Sequence, residues 1–382
     1  MPFSHFSDEL KQRREQGLLR RRRVVESPQG VYVDADGRPY LSFCSNDYLG
    51  LANHPALAEA VCRGAERYGV GAGASHLVSG HFSPHQQLEQ ELAAFVGLPQ
   101  ALLFSGGYMA NVGVVTTLVG RTDTVFADKL NHASLNDAMV LSRAHVRRYP
   151  HLDMAALEKM LGSTPSGRKL VASDAVFSMD GDVAPVRELL ALCEKYDAWL
   201  LLDDAHGFGV LGEGGRGCLS HFGVSSPRIV YMATLGKGAG VFGAFVAGVP
   251  ELIDGLVQNA RSYIYTTAMP PLLACALSAS VKLIGAEDWR RQRLRELIAR
   301  LRAWQPKRWS LMESATPIQP LLIGGNDETL ALSQGLLERG ILVPAIRPPT
   351  VPKGQARLRI SLSAAHTLED VDRLVAALKE LE

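Results

Sequence analysis

The stretch KLVASDAVFSMDGDVAPVRELLALCEKYDAWLLLDDAHGFG (169–209) decides the architecture. It opens on the apolar run KLVASDA (169–175) and passes a glycine turn at Gly181. It continues as PVRELLALCEKY (185–196), with apolar residues at helical spacing, and returns to a second apolar run, AWLLLDD (198–204). Strand, helix and strand in that order describe two parallel strands joined by a crossover. The same alternation extends both ways. Upstream lie ALLF (101–104), TVFA (124–127) and HVRRY (145–149), and downstream lie RIVYMAT (228–234) and GAFVAG (243–248). Helical stretches such as MAALEKML (154–161) separate most of them. The pattern predicts an α/β fold with a mostly parallel sheet of about seven strands and helices on both faces.

The flanks read differently. Residues 8–25, DELKQRREQGLLRRRRVV, have helical character, with charge on most faces and four adjacent cations at Arg20–Arg23. GVYVDADGRPYLSF (30–43) reads as two short strands around the turn Asp36-Gly37. Beyond MPP (269–271) comes a long helical region. The last eighty residues read as a smaller α+β unit: PIQPLLIG, a helix over 328–339, ILVPAIR, ARLRISL, and a final helix opened by Thr367. The expected division is an N-terminal helix and short strands (1–45), a large domain (46–285) and a small C-terminal domain (286–382).

Composition narrows the function. The chain has 382 residues, 47% hydrophobic and 21% charged, enough to bury a large core. Forty Lys plus Arg against 39 Asp plus Glu leave a net charge of +1, which argues against a general nucleic-acid binder. No apolar run is long enough for a membrane span, and the charged N-terminus lacks the apolar core of a secretion signal, so a cytoplasmic chain is expected. The five cysteines, Cys44, Cys62, Cys193, Cys218 and Cys275, fit neither a disulfide framework nor a zinc site, and no metal is expected.

In open parallel sheets ligands bind beyond the carboxyl ends of the strands, so the residues after each apolar run matter most. After ALLF, SGGYMAN (105–111) is a small-residue turn into a helix, where the amides of Gly107 and Tyr108 suit a phosphate. His132 follows TVFA, and Ser178 follows KLVASDA. Asp203-Asp204 close AWLLLDD, with His206 just beyond. Thr234 and Lys237 close RIVYMAT, the lysine between Gly236 and Gly238. A lysine so placed can act as base or Schiff-base nucleophile. The glycine-rich stretches GAGASHLVSGHFSPH (71–85) and GEGGRG (212–217) do not sit between a strand and a helix, as a dinucleotide fingerprint requires. A Walker loop is absent. Anion cradle, acid and lysine together make the kit that pyridoxal phosphate (PLP) asks for.

The motifs SNDYLGLANHP (45–55), LNHASL (130–135), VFSMDGD (176–182), DDAHGFGVLGEGGRG (203–217), TLGKGAG (234–240), YTTAMPP (265–271) and RPPTVPKGQARLRISLSAAH (347–366) occur in order along the chain. In them the chain resembles the α-oxoamine synthases, PLP-dependent enzymes of the type I, aspartate-aminotransferase-like fold. The resemblance implies that Lys237 holds the cofactor, that Asp203 pairs with its pyridine nitrogen, and that His132 stacks on the ring. It implies His206 and Ser178 near the ring's 3-oxygen, and Gly107, Tyr108 and Thr234 at the phosphate. Arg20 and Thr350 match positions that contact the acyl substrate, with Arg347 for a substrate carboxylate, Asn46 lining the same pocket, and His132 contacting substrate as well as cofactor. AIRPPTVP (345–352) and GKGAGVFGA (236–244) are more similar to the branch that joins L-alanine to a pimeloyl thioester, carried on coenzyme A or an acyl carrier protein. The alternative branch joins glycine to acetyl-CoA. Family members are typically homodimers with shared sites, which implies that Thr266 or Thr267 reaches the neighbour's phosphate.

Overall fold

The computed structural model describes residues 3–164 and 166–382. In chain order the strands are β1 (Tyr32–Ala35), β2 (Arg38–Ser42), β3 (Gln100–Phe104), β4 (Thr124–Asp128), β5 (His145–Tyr149), β6 (Lys169–Asp174) and β7 (Trp199–Asp203). They continue as β8 (Ile229–Thr234), β9 (Ala244–Gly248), β10 (Ser310–Leu311), β11 (Ile318–Gly324), β12 (Ile341–Leu342), β13 (Ala345–Ile346) and β14 (Ala356–Ser361). The chain divides into two units. The larger comprises Leu49–Ser178 and Asp182–Arg291; the smaller comprises the segment ending at Tyr48, Met179–Gly181 and Gln292–Glu382.

The larger unit is built on a seven-stranded sheet in the order β3-β9-β8-β7-β6-β4-β5. All seven apolar runs of the sequence are its strands. From β8 through β5 every neighbouring pair is parallel, and β9 runs antiparallel to both β8 and β3. The exception has a geometric cause. Only the loop 235–243 separates β8 from β9, and a parallel return needs a crossover of about a dozen residues or more. The chain must turn back as a hairpin, and that turn carries Lys237. Leu102, Val125, Leu170, Leu201, Val230 and Val246 from the strands form one core with Val114 and Leu135 from the helices Gly107–Leu118 and Ala133–Ser142. From β4 the chain goes to β5 on one side, and from β6 it proceeds to β7 on the other. The switch point thus lies between β4 and β6, and the crevice at their carboxyl ends is where such sheets bind ligands.

One buried ion network braces this edge. His151 Nδ1 lies 3.0 Å from Asp128 Oδ1 and its Nε2 lies 2.7 Å from Asp182 Oδ2, with the Asp128 side chain fully buried. Burial alone would disfavour the imidazolium, but hydrogen bonds and charge from the two carboxylates outweigh it and push His151 up to about 10. Because the folded value lies above the ordinary histidine value of ~6.5, the stabilisation is complete below that pH and is lost as pH rises through about 10. His151→Gln leaves the buried Asp128 with the amides of Leu130 and Leu152 but no cation, and is expected to cost roughly 3 kcal/mol at pH 6. Urea unfolding of both proteins at pH 6 and pH 10 checks this. The gap must narrow at the higher pH, and a constant gap would show that His151 is not charged in the folded protein.

The smaller unit contains two sheets. β1 and β2 form a hairpin whose turn residues, Asp36 and Gly37, both have positive φ (52° and 74°). β12 adds to β2 in parallel, pairing Ile341 with Leu41. The second sheet, in the order β10-β11-β14-β13, is antiparallel throughout. The helix Leu368–Leu381 opens on a capping box. Asp370 N–H donates to Thr367 Oγ1 at 3.1 Å, and Thr367 N–H donates to Asp370 Oδ2 at 2.9 Å. The N-terminal helix expected over residues 8–25 is Ser4–Glu15 instead. Gly17 ends it at φ +65°, with Leu18 N–H donating to Arg13 O at 2.7 Å. Beyond it the four arginines leave the helical path, which spares them stacked like charges, and Val25 bridges to Ala35.

Candidate active site

Within the larger unit a cavity of about 220 Å³ opens where five strands end. After β3, Gly107 and Tyr108 begin the helix Gly107–Leu118, whose N-terminus has no side-chain cap and keeps its first amides for a ligand. After β4, His132 is the N-cap of Ala133–Ser142, and its Nδ1 lies 2.8 Å from Ser134 Oγ. β6 brings Asp174 and then Ser178, β7 brings Asp203 and His206, and β8 brings Thr234 and Lys237. Each of the eight residues that the sequence points to for a cofactor therefore lines this one cavity.

Two carboxylates stand side by side at its floor. Asp174 and Asp203 are register partners at the ends of β6 and β7, and both are buried. Asp203 Oδ2 accepts from Asn111 Nδ2 at 2.8 Å and its Oδ1 accepts from the Ala205 amide at 3.0 Å. Asp174 Oδ2 accepts only from the His132 amide, at 3.1 Å, and its Oδ1 is buried without a partner. Burial first, and then the charge of Asp203, raise Asp174 well above the usual carboxylate range. His132, which lines the cavity, is pushed down, by burial first and then by Lys237, with Asp203 opposing. Asn111 Nδ2 also donates to Ser134 Oγ at 2.9 Å, which ties the acid to the segment that positions His132. Sequence reasoning passed over Asn111 and Asp174. Asn111 sits one helical turn after Gly107 and so shares its face, a spacing that could have flagged it. Asp174 is hidden inside a strand run.

Strand alternation separates the two aspartates that end β7. Asp203 lines the cavity, while Asp204 turns to the opposite face and accepts from the Cys218 amide and Tyr231 Oη, both at 2.7 Å. Burial pushes Asp204 up to about 7. GEGGRG (212–217) wraps this carboxyl. A side chain at Gly217, where φ is +86°, would collide with Asp204 Oδ2 and Tyr231 Oη, so that glycine serves packing.

Lys237 Nζ lies 2.8 Å from His206 Nε2. The hairpin that presents it passes close to neighbouring backbone. A Cβ at Gly238 would collide with Phe208 O, and one at Gly240 (φ +70°) would sit 2.6 Å from Ala52 N. Thr234 Oγ1 donates to Gly243 O at 3.0 Å across the same hairpin. At the cavity mouth Tyr108 is 48% exposed, and its hydroxyl donates to Asp137. The donor set fits PLP. There is a helix N-terminus for a phosphate, an acid with two donors of its own, a neutral ring, a lysine beside a histidine, and an orphaned buried oxygen on Asn111 as well as on Asp174.

Of the five residues expected at the substrate, Arg20, Asn46, Arg347 and Thr350 belong to the smaller unit, and His132 lines the cavity of the larger. Asn46 Oδ1 accepts from Tyr48 Oη at 3.1 Å and from Arg359 Nη1 at 3.2 Å. Arg359, which sequence reasoning did not single out, is buried and also donates to Ser361 Oγ at 2.6 Å. Burial and the nearby Arg20 lower Arg347, whose Nε is buried without a partner. Arg20 and Thr350 are exposed, and the Thr350 amide donates to Arg347 O at 3.1 Å. Asp180, in VFSMDGD, has a structural role, pairing with the fully buried Arg357 at 2.7 Å. Thr266 is half-buried and Thr267 exposed, and neither lines the cavity.

Residues 38–378 match the family model for aminotransferase class I and II. The chain is 63% identical to an 8-amino-7-oxononanoate synthase of Nitrosospira multiformis, over 98% of its own length and 94% of that protein's. It is also similar to a solved 8-amino-7-oxononanoate synthase from Francisella tularensis, with a TM-score of 0.79 and 31% identity over 89% of this chain and 97% of that one. A serine palmitoyltransferase from S. paucimobilis, solved with bound PLP and myriocin, superposes with a TM-score of 0.92 at 29% identity, covering 100% of this chain and 97% of that one.

Proposed function

Because the chain belongs to the class I and II aminotransferase family, we propose that it condenses L-alanine with a pimeloyl thioester, releasing carbon dioxide and free thiol and forming 8-amino-7-oxononanoate for biotin biosynthesis. It is a PLP-dependent acyltransferase with the fold of the PLP transferases. The observation that carries the reading is the complete lysine, histidine and aspartate set in one cavity of a chain 63% identical to such a synthase over nearly its whole length.

When bound, PLP supplies an electron sink for a carbanion at the amino acid's α-carbon. The chain's residues do the rest. Lys237 Nζ would hold the cofactor and would serve as the base for the amino acid's α-proton. His206 Nε2, 2.8 Å away, shares that proton and returns it late in the cycle. Asp203, oriented by Asn111 and the Ala205 amide, accepts from the pyridine nitrogen and holds a negative charge against it. At the neighbouring Asp174, burial and the charge of Asp203 disfavour a second negative charge. His132 covers the ring face, with Ser178 and His206 at the 3-oxygen, while Gly107, Tyr108 and Thr234 receive the phosphate. Arg20, Asn46, Arg347 and Thr350 receive the acyl substrate, with the guanidinium groups suited to the free carboxylate of the pimeloyl chain.

The thioester is carried on coenzyme A or on an acyl carrier protein, and the working enzyme is a cytoplasmic homodimer with shared sites. The exposed apolar side chains of Val70, Val78 and Tyr265, 79%, 80% and 71% exposed, support an interface on the larger unit. Thr266 or Thr267 then reaches the partner's phosphate. Among the described residues no helix is long and apolar enough to cross a membrane. The test pairs L-alanine or glycine with pimeloyl-CoA or acetyl-CoA and follows thiol and carbon dioxide release. Equal amounts of both are expected only from alanine with pimeloyl-CoA. Turnover confined to glycine with acetyl-CoA would overturn the substrate assignment and leave the site chemistry intact.

A further inference from the structure

The glycine-rich segment GAGASHLVSGHFSPH (71–85) takes no part in the reaction described above, yet it gathers three imidazoles. His76, His81 and His85 each offer one ring nitrogen, and these three atoms lie within 4.8 Å of one another. The π-helical turn His76–Gly80 folds the segment back on itself and brings His76 Nδ1 within 2.9 Å of His81 Nδ1. Gly80 is required for that turn, because a Cβ there would run into the backbone of Ala74 and sit 2.9 Å from Ser75 O. His76 and His85 are buried, and His81 is half-buried.

The outer nitrogens of two of the rings face oxygen. His85 Nε2 lies 2.8 Å from Met269 O, an acceptor that places the proton on Nε2 and the lone pair on Nδ1. His81 Nε2 lies 3.4 Å from Gln86 Oε1 and 4.0 Å from Glu89 Oε2. Glu89 is itself anchored by the Leu103 amide at 2.9 Å. The His76 ring is stacked on Tyr263 with centroids 5.0 Å apart. Imidazoles that bind metal share this arrangement, with one nitrogen turned inward and the other hydrogen-bonded to a carbonyl or carboxylate.

We propose that His76, His81 and His85 bind a divalent transition-metal ion of the zinc class. Three neutral nitrogens suit such ions, and alkaline-earth ions prefer oxygen. Tetrahedral zinc at 2.0–2.1 Å from nitrogen sets neighbouring ligand atoms roughly 3.3 Å apart. The His76–His81 pair opens slightly to meet that spacing, and the third ring draws inward. On binding, the proton between the two Nδ1 atoms moves to the outer nitrogen of the same ring. The ion also displaces the Phe82 amide, which donates to His85 Nδ1 at 3.0 Å. A cavity of about 700 Å³, lined by His76, His81, Glu89 and Tyr263, leaves the fourth position to water.

The experiment is a calorimetric titration of chelator-stripped, PLP-loaded protein with zinc chloride, the cofactor keeping Lys237, His132 and His206 out of the measurement. One equivalent per chain is expected, and His81→Gln should weaken binding about 100-fold while leaving the circular dichroism spectrum unchanged. His76→Asn should do the same, which guards against a fold defect in either variant. Absence of saturable binding, or equal affinity in wild type and both variants, would overturn the site.

Discussion

Lys237→Ala is expected to lower turnover at least ~10³-fold and to remove the visible absorbance of covalently bound cofactor. Among the described residues Lys237 is the only amine lining the cavity. Its loss therefore removes both the covalent anchor and the base, and the neighbouring imidazole of His206 cannot form the linkage. The protein should fold normally. The turn that carries Lys237 is set by the close backbone approaches at Gly238 and Gly240 and by the Thr234–Gly243 hydrogen bond, none of which uses the lysine side chain. Absorbance after reconstitution, the urea midpoint and turnover are the three readings. An unchanged midpoint with lost absorbance and turnover is the expected set. Full turnover would remove Lys237 from the centre of the mechanism.

The second large effect falls on Asp203. Asp203→Asn preserves shape and can still accept from Asn111 Nδ2, but it removes the charge that faces the pyridine nitrogen. Cofactor should still bind, through Lys237 and the phosphate contacts, while turnover falls about 10²–10³-fold, the scale of losing one preorganised electrostatic partner. Asp174→Asn is the companion variant. Burial and the charge of Asp203 disfavour the ionised form of Asp174, so a neutral amide there costs little, and less than about a tenfold change is expected. Reversal of the two results, with Asp203→Asn nearly silent and Asp174→Asn crippled, would show that the strand-end acids have been assigned the wrong way round.

Much of this was legible without coordinates. Parallel strands buried on both faces read as short apolar runs, which is why β4, β6, β7 and β8 could be found, and the antiparallel β3 and β9 are buried enough to read the same way. Chemistry in such a sheet collects at the carboxyl ends of its strands, so Lys237, His206, Asp203, His132 and Gly107 could be picked out by position. Other features were hidden for physical reasons. Asn111 lies within a helix and resembles any polar residue there until Asp203, 92 positions away, is placed against it. Asp174 is masked by the apolar run around it. Gly17 is a local stop signal for the first helix that the run of charged residues on either side obscured. The pairing of β2 with β12, which joins Leu41 to Ile341, is a long-range contact with no local trace.

The sequence by itself determined the alternation of strands and helices, the number of strands in the main sheet and the residue types at their ends. Those depend on periodicity and turn chemistry, which act over a few neighbouring residues. Only the tertiary structure decided which of Asp203 and Asp204 faces the cavity, in which carboxyl burial disfavours the charge and which asparagine orients its neighbour. It alone brought three histidines of a glycine-rich loop within reach of one ion. These are matters of distance and burial between groups remote in the chain, and a Coulomb or desolvation term has no value until the fold supplies both.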